Sequence, residues 1–179
     1  MAGIREYIGI RVLSRKLKNF QRETRVHNFE TASSAVILFN AEVPNSFNVI
    51  KEFLDFLKKE GIASSVFGYV NQKEVPQEML FWKDFHMITR KDLNWYMKPG
   101  GEMVDLFHSK DPDILIDFTK DLSLELQFLV QLSSARFKIG NFTEQKNDYD
   151  LMINASDHDD MAYISEQIRH YVAILNPIN

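Results

Sequence analysis

The chain has 179 residues, 45% of them hydrophobic and 26% charged, with a formal charge of −4 and no cysteine. That is enough for one globular domain able to bury roughly two-thirds of its unfolded surface. It excludes disulfides, thiolate zinc sites and cysteine nucleophiles, and an acidic balance has the wrong sign for a general nucleic-acid binder.

Charge is unevenly placed. Residues 1–25 carry seven basic side chains against Glu6 and Glu23, so this leader is +5 and the remainder of the chain −9. Arg5, Glu6 and Arg11 interrupt every apolar run near the N-terminus, which leaves no signal-peptide core. No later run approaches the roughly 18 apolar residues of a membrane span. The expected compartment is therefore the cytoplasm. Helical spacing of Ile4, Ile8, Leu13, Leu17 and Phe20 predicts a basic helix in the leader, although Gly9, Ile10 and Val12 break its stripe. Two roles suit such a helix: docking over the core, or touching anionic lipid, RNA or an acidic partner. The narrow apolar face favours docking.

After a polar link, Ala35 to Phe39 is a continuous apolar run, too short for a helix and suited to a strand buried on both faces. Pro44-Asn45-Ser46 opens a helix with Asn45 or Ser46 as N-cap and Val49, Ile50, Phe53, Leu54 and Leu57 inside; Gly61 is placed to stop it. Ser65 to Val70 is the next strand, followed by a Pro-interrupted loop or poor helix over 71–83. Phe85 to Ile88 reads as a third strand, Thr89 to Gly101 as irregular, and Glu102 to His108 as a short helix.

The run Asp113 to Phe118 is the next buried strand, and residues 123–132 form an apolar helix packing back on the sheet. Arg136 to Gly140 and Tyr149 to Ile153 are two further short strands. Ser156 to Asp160 starts a last helix, with Met161, Ile164, Ile168, Tyr171, Val172 and Leu175 at helical spacing. Strands alternating with helices predict a Rossmann-like α/β three-layer sandwich with five or six mostly parallel strands. Residues 35–179 make that domain, with the basic helix of 1–25 outside it.

Several segments occur in one order: the basic leader, Val36-Ile37-Leu38-Phe39, Phe67-Gly68-Tyr69-Val70, Asp92-Leu93-Asn94-Trp95-Tyr96 with Lys98-Pro99, Asp113 to Asp117, Ala135 to Gly140 and Tyr149 to Ile153. Together they resemble a bacterial domain-of-unknown-function family over nearly the whole chain, a resemblance that implies no activity. Asp117 to Gly140, a strand ending in Asp followed by an apolar helix and an Arg-x-x-Gly turn, is also similar to the N-terminal half of heptosyltransferase-type glycosyltransferases. Their glycine-bearing loop after the first strand is replaced here by Asn40-Ala41-Glu42-Val43-Pro44, and the length leaves no room for their second lobe. That likeness implies a Rossmann-like half and not a transferase.

In an open α/β sheet, ligands bind beyond the carboxyl ends of the strands where strand order reverses. The order 3-2-1-4-5-6 puts this crevice between Asn40, Glu42, Asn45 and Ser46 on one side and Asp117, Thr119 and Asp121 on the other. Glu42 and Asp117 are the candidate acid/base or cation-binding pair. Their competing role is structural, with Asp117 and Asp121 satisfying backbone N–H groups of the next turn and Glu42 solvated.

No glycine-rich phosphate motif follows a strand, no histidine pair has zinc spacing, and no serine sits in a nucleophile elbow, so no cofactor or metal is expected. Asp157-His158-Asp159-Asp160 fits an acidic helix start. Trp95, Tyr96 and Lys98 form a second candidate contact site, with burial of Trp95 under its own loop as the structural alternative. The expectation is a non-enzymatic cytoplasmic binding or adaptor protein, reaching a protein partner or acidic surface through residues 1–25 and recognising no specific nucleic acid. The alternative is a small enzyme or pseudo-enzyme taking a sugar- or nucleotide-like ligand at the carboxyl edge of the sheet. A homodimer is compatible with either.

Overall fold

The computed structural model describes residues 3–155, 158 and 160–177. In chain order the elements are α1 (Ile4–Asn19), β1 (Ser34–Asn40), α2 (Ser46–Lys59), β2 (Ala63–Val70), β3 (Phe85–Thr89), α3 (Glu102–Ser109), β4 (Ile114–Asp117), α4 (Leu124–Gln131), β5 (Phe137–Asn141), β6 (Leu151–Ile153) and α5 (Met161–Ile174). Single-turn 3₁₀ helices at Gln77–Phe81 and Arg90–Asp92 lie in the two long connections flanking β3. The last helix begins at Met161 with Asp160 as its N-cap, accepting from the Ala162 N–H at 3.0 Å. Ser156, Asp157 and Asp159, which the sequence places at its start, lie outside the described residues. No helix among the described residues is long and apolar enough to cross a membrane.

The six strands form one sheet in the order β3-β2-β1-β4-β5-β6, parallel throughout. The continuous apolar runs read from the sequence lie at its centre: Ala35 to Phe39 are all buried, as are all four residues of β4. Alternation along β1 divides the core. Ile37 and Phe39 join Phe53 and Leu57 of α2 and Ile164 and Ile168 of α5 on one face. Val36 and Leu38 join Phe107 of α3 and Leu126 and Leu129 of α4 on the other. Each such side chain, taken from water, contributes about 1.5–3 kcal/mol.

Helix α1 is a further layer, laid on α4 through Leu13, Leu124 and Phe128. Gly9, which breaks the apolar stripe in the sequence, is the point of closest approach. A Cβ there would sit 2.5 Å from the Tyr96 carbonyl oxygen and 2.6 Å from Leu124 Cδ2. The residue that weakens the helix is the one that lets it dock.

The segment leaving α1 is tied down by charge. The Arg22 guanidinium donates to the carbonyls of Ala135, Arg136 and Asp148 at 3.0–3.2 Å, and to the Asp150 carboxylate at 2.8 and 3.0 Å. Asp150 also accepts from the Lys138 N–H at 2.8 Å. Lys138 is fully buried, and its Nζ donates to Asp148 at 2.5 Å and to the Gln131 carbonyl at 3.3 Å. Burial pulls the Lys138 pKa down and pushes that of Asp148 up, and their mutual attraction opposes both shifts. The network fixes the leader against β5 and sets where α1 begins its run over α4.

Gly→Ala in an exposed helix stabilises by up to about 1 kcal/mol. Gly9→Ala is expected to do the reverse, because overpacking against Tyr96 and Leu124 costs about 1–3 kcal/mol. Urea unfolding decides it: a midpoint at or above that of the parent chain would mean that α1 has slack over α4.

Candidate functional site

The order reverses between β1 and β4, so the chain leaves these neighbours toward opposite faces, into α2 and α4 respectively. The gap beyond their carboxyl ends is a cavity of about 450 Å³. Asn40, Val43 and Pro44 wall one side and Phe118, Thr119, Lys120 and Asp121 the other. Asp160, Met161 and Ile164, from the start of α5, close it. Lys120 and Ile164 also wall a neighbouring cavity of about 210 Å³ with Asn141 and Phe142.

Of the residues expected at this crevice, Asn40, Thr119 and Asp121 line it. Asn40 Oδ1 accepts from the Glu42 N–H at 2.9 Å and so shapes the turn out of β1. Asn45 and Ser46 do not line the cavity. Asn45 has a left-handed backbone (φ 61°) and caps no N–H with its side chain, while the buried Ser46 hydroxyl donates to the Ala41 carbonyl at 3.3 Å. Glu42 faces the other way, toward the loop after β2, accepting from Asn71 N–H at 2.9 Å and Gln72 Nε2 at 2.8 Å.

Asp117 lies beneath the crevice floor, fully buried. Its carboxylate accepts from the Tyr149 hydroxyl at 2.6 Å and the Thr119 N–H at 2.8 Å. Burial pushes its pKa up to about 6, against the opposing pull of the bonds from Tyr149 and Thr119. Glu42 and Asp117 therefore form no pair about a common substrate. The crevice offers apolar walls with a polar rim, an arrangement suited to holding a ligand.

The aromatic loop lies elsewhere. Asn94 Oδ1 accepts from the N–H groups of Tyr96 and Lys98 at 3.1 and 3.0 Å, and Leu93 bridges Pro99, closing a tight turn with Met97 in the left-handed region (φ 66°). Trp95 is not buried under this turn; it is 60% exposed, with its ring edge-on to Tyr96 at 5.2 Å. Lys98 turns inward and, with Lys16, Phe20, His108 and Phe128, lines a cavity of about 500 Å³ beneath α1.

Two buried polar groups were not singled out by sequence pattern. Lys138 sits between Phe137 and Ile139 in a strand that a two-sided parallel sheet must bury. The spacing alone thus signals a paired lysine, and Asp148 and Asp150 come closely enough after it to supply the partners. Glu125, inside the apolar run 122–132, is buried and accepts from the Tyr69 hydroxyl at 2.8 Å. Burial, then Glu125, raises the Tyr69 pKa.

Asp117 has a folded-state pKa near 6 against 3.8 for a free aspartate. Its contribution to stability is full below about pH 4 and is lost as pH rises through 6. Asp117→Asn, which keeps the shape without the charge, is expected to stabilise the fold by on the order of 2–3 kcal/mol at pH 7.5. The gain should vanish below about pH 4. Paired denaturant titrations across that range check it, and a difference independent of pH would show that the charged form is held as well as the neutral one.

A search of the curated proteins returned no match to this chain. The profile of a family of unknown function matches residues 5–175, spanning α1 to the C-terminal end of α5 and so the crevice, the aromatic loop and the buried charge network together. The chain belongs to that family of unknown function, DUF6913.

Proposed function

We propose that the chain is a non-enzymatic adaptor domain that docks on an acidic protein surface through the outward face of α1 and the neighbouring Trp95 turn. One observation carries this reading. Ile4, Tyr7, Arg11, Ser14 and Lys18, at alternating spacings of three and four, form a stripe on the side of α1 opposite Gly9 and Leu13, and all five are exposed. Ile10 and Arg15 flank it, and Arg11 lies over the Tyr7 ring at 5.2 Å. Ile4 is 80% and Tyr7 54% exposed, and no cation of the stripe has a carboxylate partner among the described residues. Folding uses none of these side chains. The Tyr96 carbonyl packs against Gly9 on the other side of the helix, so the exposed Trp95 of that turn is a separate aromatic anchor.

A protein partner suits the charge distribution better than a bilayer does. The remainder of the chain is −9, and a flat anionic membrane would meet much of it. A protein contacting only α1 feels the local cations, because charges beyond about 10 Å are screened at physiological salt. Leu13 and Leu17, which would broaden a lipid-facing edge of α1, pack against α4.

A photo-crosslinking residue at Tyr7, used in cells expressing the chain, should capture one acidic protein. Reconstituted with purified chain, that protein should lose roughly tenfold in affinity between about 50 and 200 mM salt, and at least as much with Arg11→Glu/Arg15→Glu. Unchanged affinity in the double variant, or binding to anionic vesicles in place of the protein, would overturn the reading.

The cavity between β1 and β4 supports a second role, the binding of a small sugar- or nucleotide-like ligand at the carboxyl edge of the sheet. AMP or glucose 6-phosphate should then raise the melting temperature of the parent chain and not that of Val43→Trp, which fills the crevice. No shift with either probe, or equal shifts in both proteins, would remove this role.

A further inference from the structure

We infer that the cavity between α1, the Lys98 turn, α3 and α4 is a second ligand site, built for a small organic anion with a flat apolar body. It depends neither on the outward face of α1 nor on the crevice between β1 and β4. At about 500 Å³ it is large enough for an aromatic acid or aryl phosphate, and four separate stretches of chain converge on it. The apolar part of its walls is Phe20 from the end of α1, Phe128 and Leu132 from α4, and Val104 from α3.

Its charges are placed across from one another. Lys16 comes from α1 and Lys98 from the turn, and neither has an ion-pair partner among the described residues. Lys98 is half-buried. Behind Phe20 lies the Lys138 ammonium, 5.9 Å from that ring's centroid and already paired with Asp148. Asp105 is the one carboxylate in the lining, set against two lysines.

His108 also lines the cavity. Its Nδ1 is enclosed. Burial holds the ring's pKa below the ordinary histidine value, against the opposing pull of Asp105 and of a hydrogen bond to the Leu132 backbone. One anionic group near the lysines and one ring against Phe20 and Phe128 would match this lining.

The probes are phenyl phosphate and benzoate, with inorganic phosphate and benzyl alcohol as controls for charge and ring alone. Two-dimensional amide NMR of the full chain should show saturable shifts at Gly100, Asp105 and His108, and none at Thr119 or Lys120 in the crevice. Binding should weaken about tenfold in Lys98→Met and recover in Lys98→Arg, since the anion loses and regains a charged hydrogen-bond donor. Arg11→Glu/Arg15→Glu, on the outer face of α1, should leave it unchanged. Absence of saturable shifts with both aryl anions at millimolar concentration would overturn the inference. So would equal binding of the two controls, shifts confined to the crevice, or full affinity in Lys98→Met.

Discussion

The structure turns on the parallel pairing of β1 with β4. Leu38 and Asp117 are register partners, and the Phe118 N–H continues the ladder to the Leu38 carbonyl at 2.8 Å. With β2 on its other edge, β1 has no free side and no wet face, so its sequence is five consecutive apolar residues. The chain leaving β1 is drawn to the α2 face and the chain leaving β4 to the α4 face. No single connection can seal the seam between them. The crevice is thus a consequence of topology, and its chemistry is set by whatever side chains the two departing loops and the start of α5 present.

Charge in the leader is divided between two tasks. Arg22 points inward, and four acceptors hold it where an uncompensated guanidinium would be untenable. Arg11, Arg15 and Lys18 point outward and have no internal carboxylate among the described residues. The planar fork of Arg22 is what allows simultaneous bonding to carbonyls and to Asp150; a lysine at that position would lose the bidentate geometry. Burying Lys138 with Asp148 beside it adds little net stability by general precedent. Its effect here is positional: it sets the chain after α1 against β5, so that Phe20 and Lys16 face α3 and α4.

The fold was legible because its central strands are extreme in composition. A run such as Ala35 to Phe39, or Ile114 to Ile116, has no soluble alternative to a doubly covered strand, and the 3.6-residue spacing in α2 and α5 supplies the covers. The site was legible only as a place. Asn40, Thr119 and Asp121 could be assigned to the rim from strand ends alone. That Asp160, Met161 and Ile164 close it depends on how α5 crosses the sheet, which no local pattern encodes. Gly9 read as a helix defect because its use is a contact with Tyr96, some ninety residues away. Arg22 read as one more cation in a basic leader, since its partners at 148 and 150 are set by folding. Trp95 was ambiguous for a different reason: an Asn94-centred turn can present either face of an indole, and only the packing of Met97 into the α1–α4 contact settles which.

Asp117 shows why a carboxyl at a strand end is poor evidence of catalysis taken alone. The Tyr149 ring passes over Gly140 of β5, where a Cβ would collide with it, and its hydroxyl reaches the carboxylate of β4 at 2.6 Å. The bond therefore straps the segment entering β6 across β5 to the centre of the sheet, while the second oxygen holds the Thr119 N–H that starts the rim. Both oxygens are committed, and burial disfavours the charged form. A group so arranged lowers stability at neutral pH and cannot meet a substrate proton, yet it fixes the floor of the crevice to within a hydrogen-bond length. Selection for geometry accounts for it without any appeal to reactivity. The same logic makes Lys98 the more informative group, because no ion pair among the described residues explains where it is.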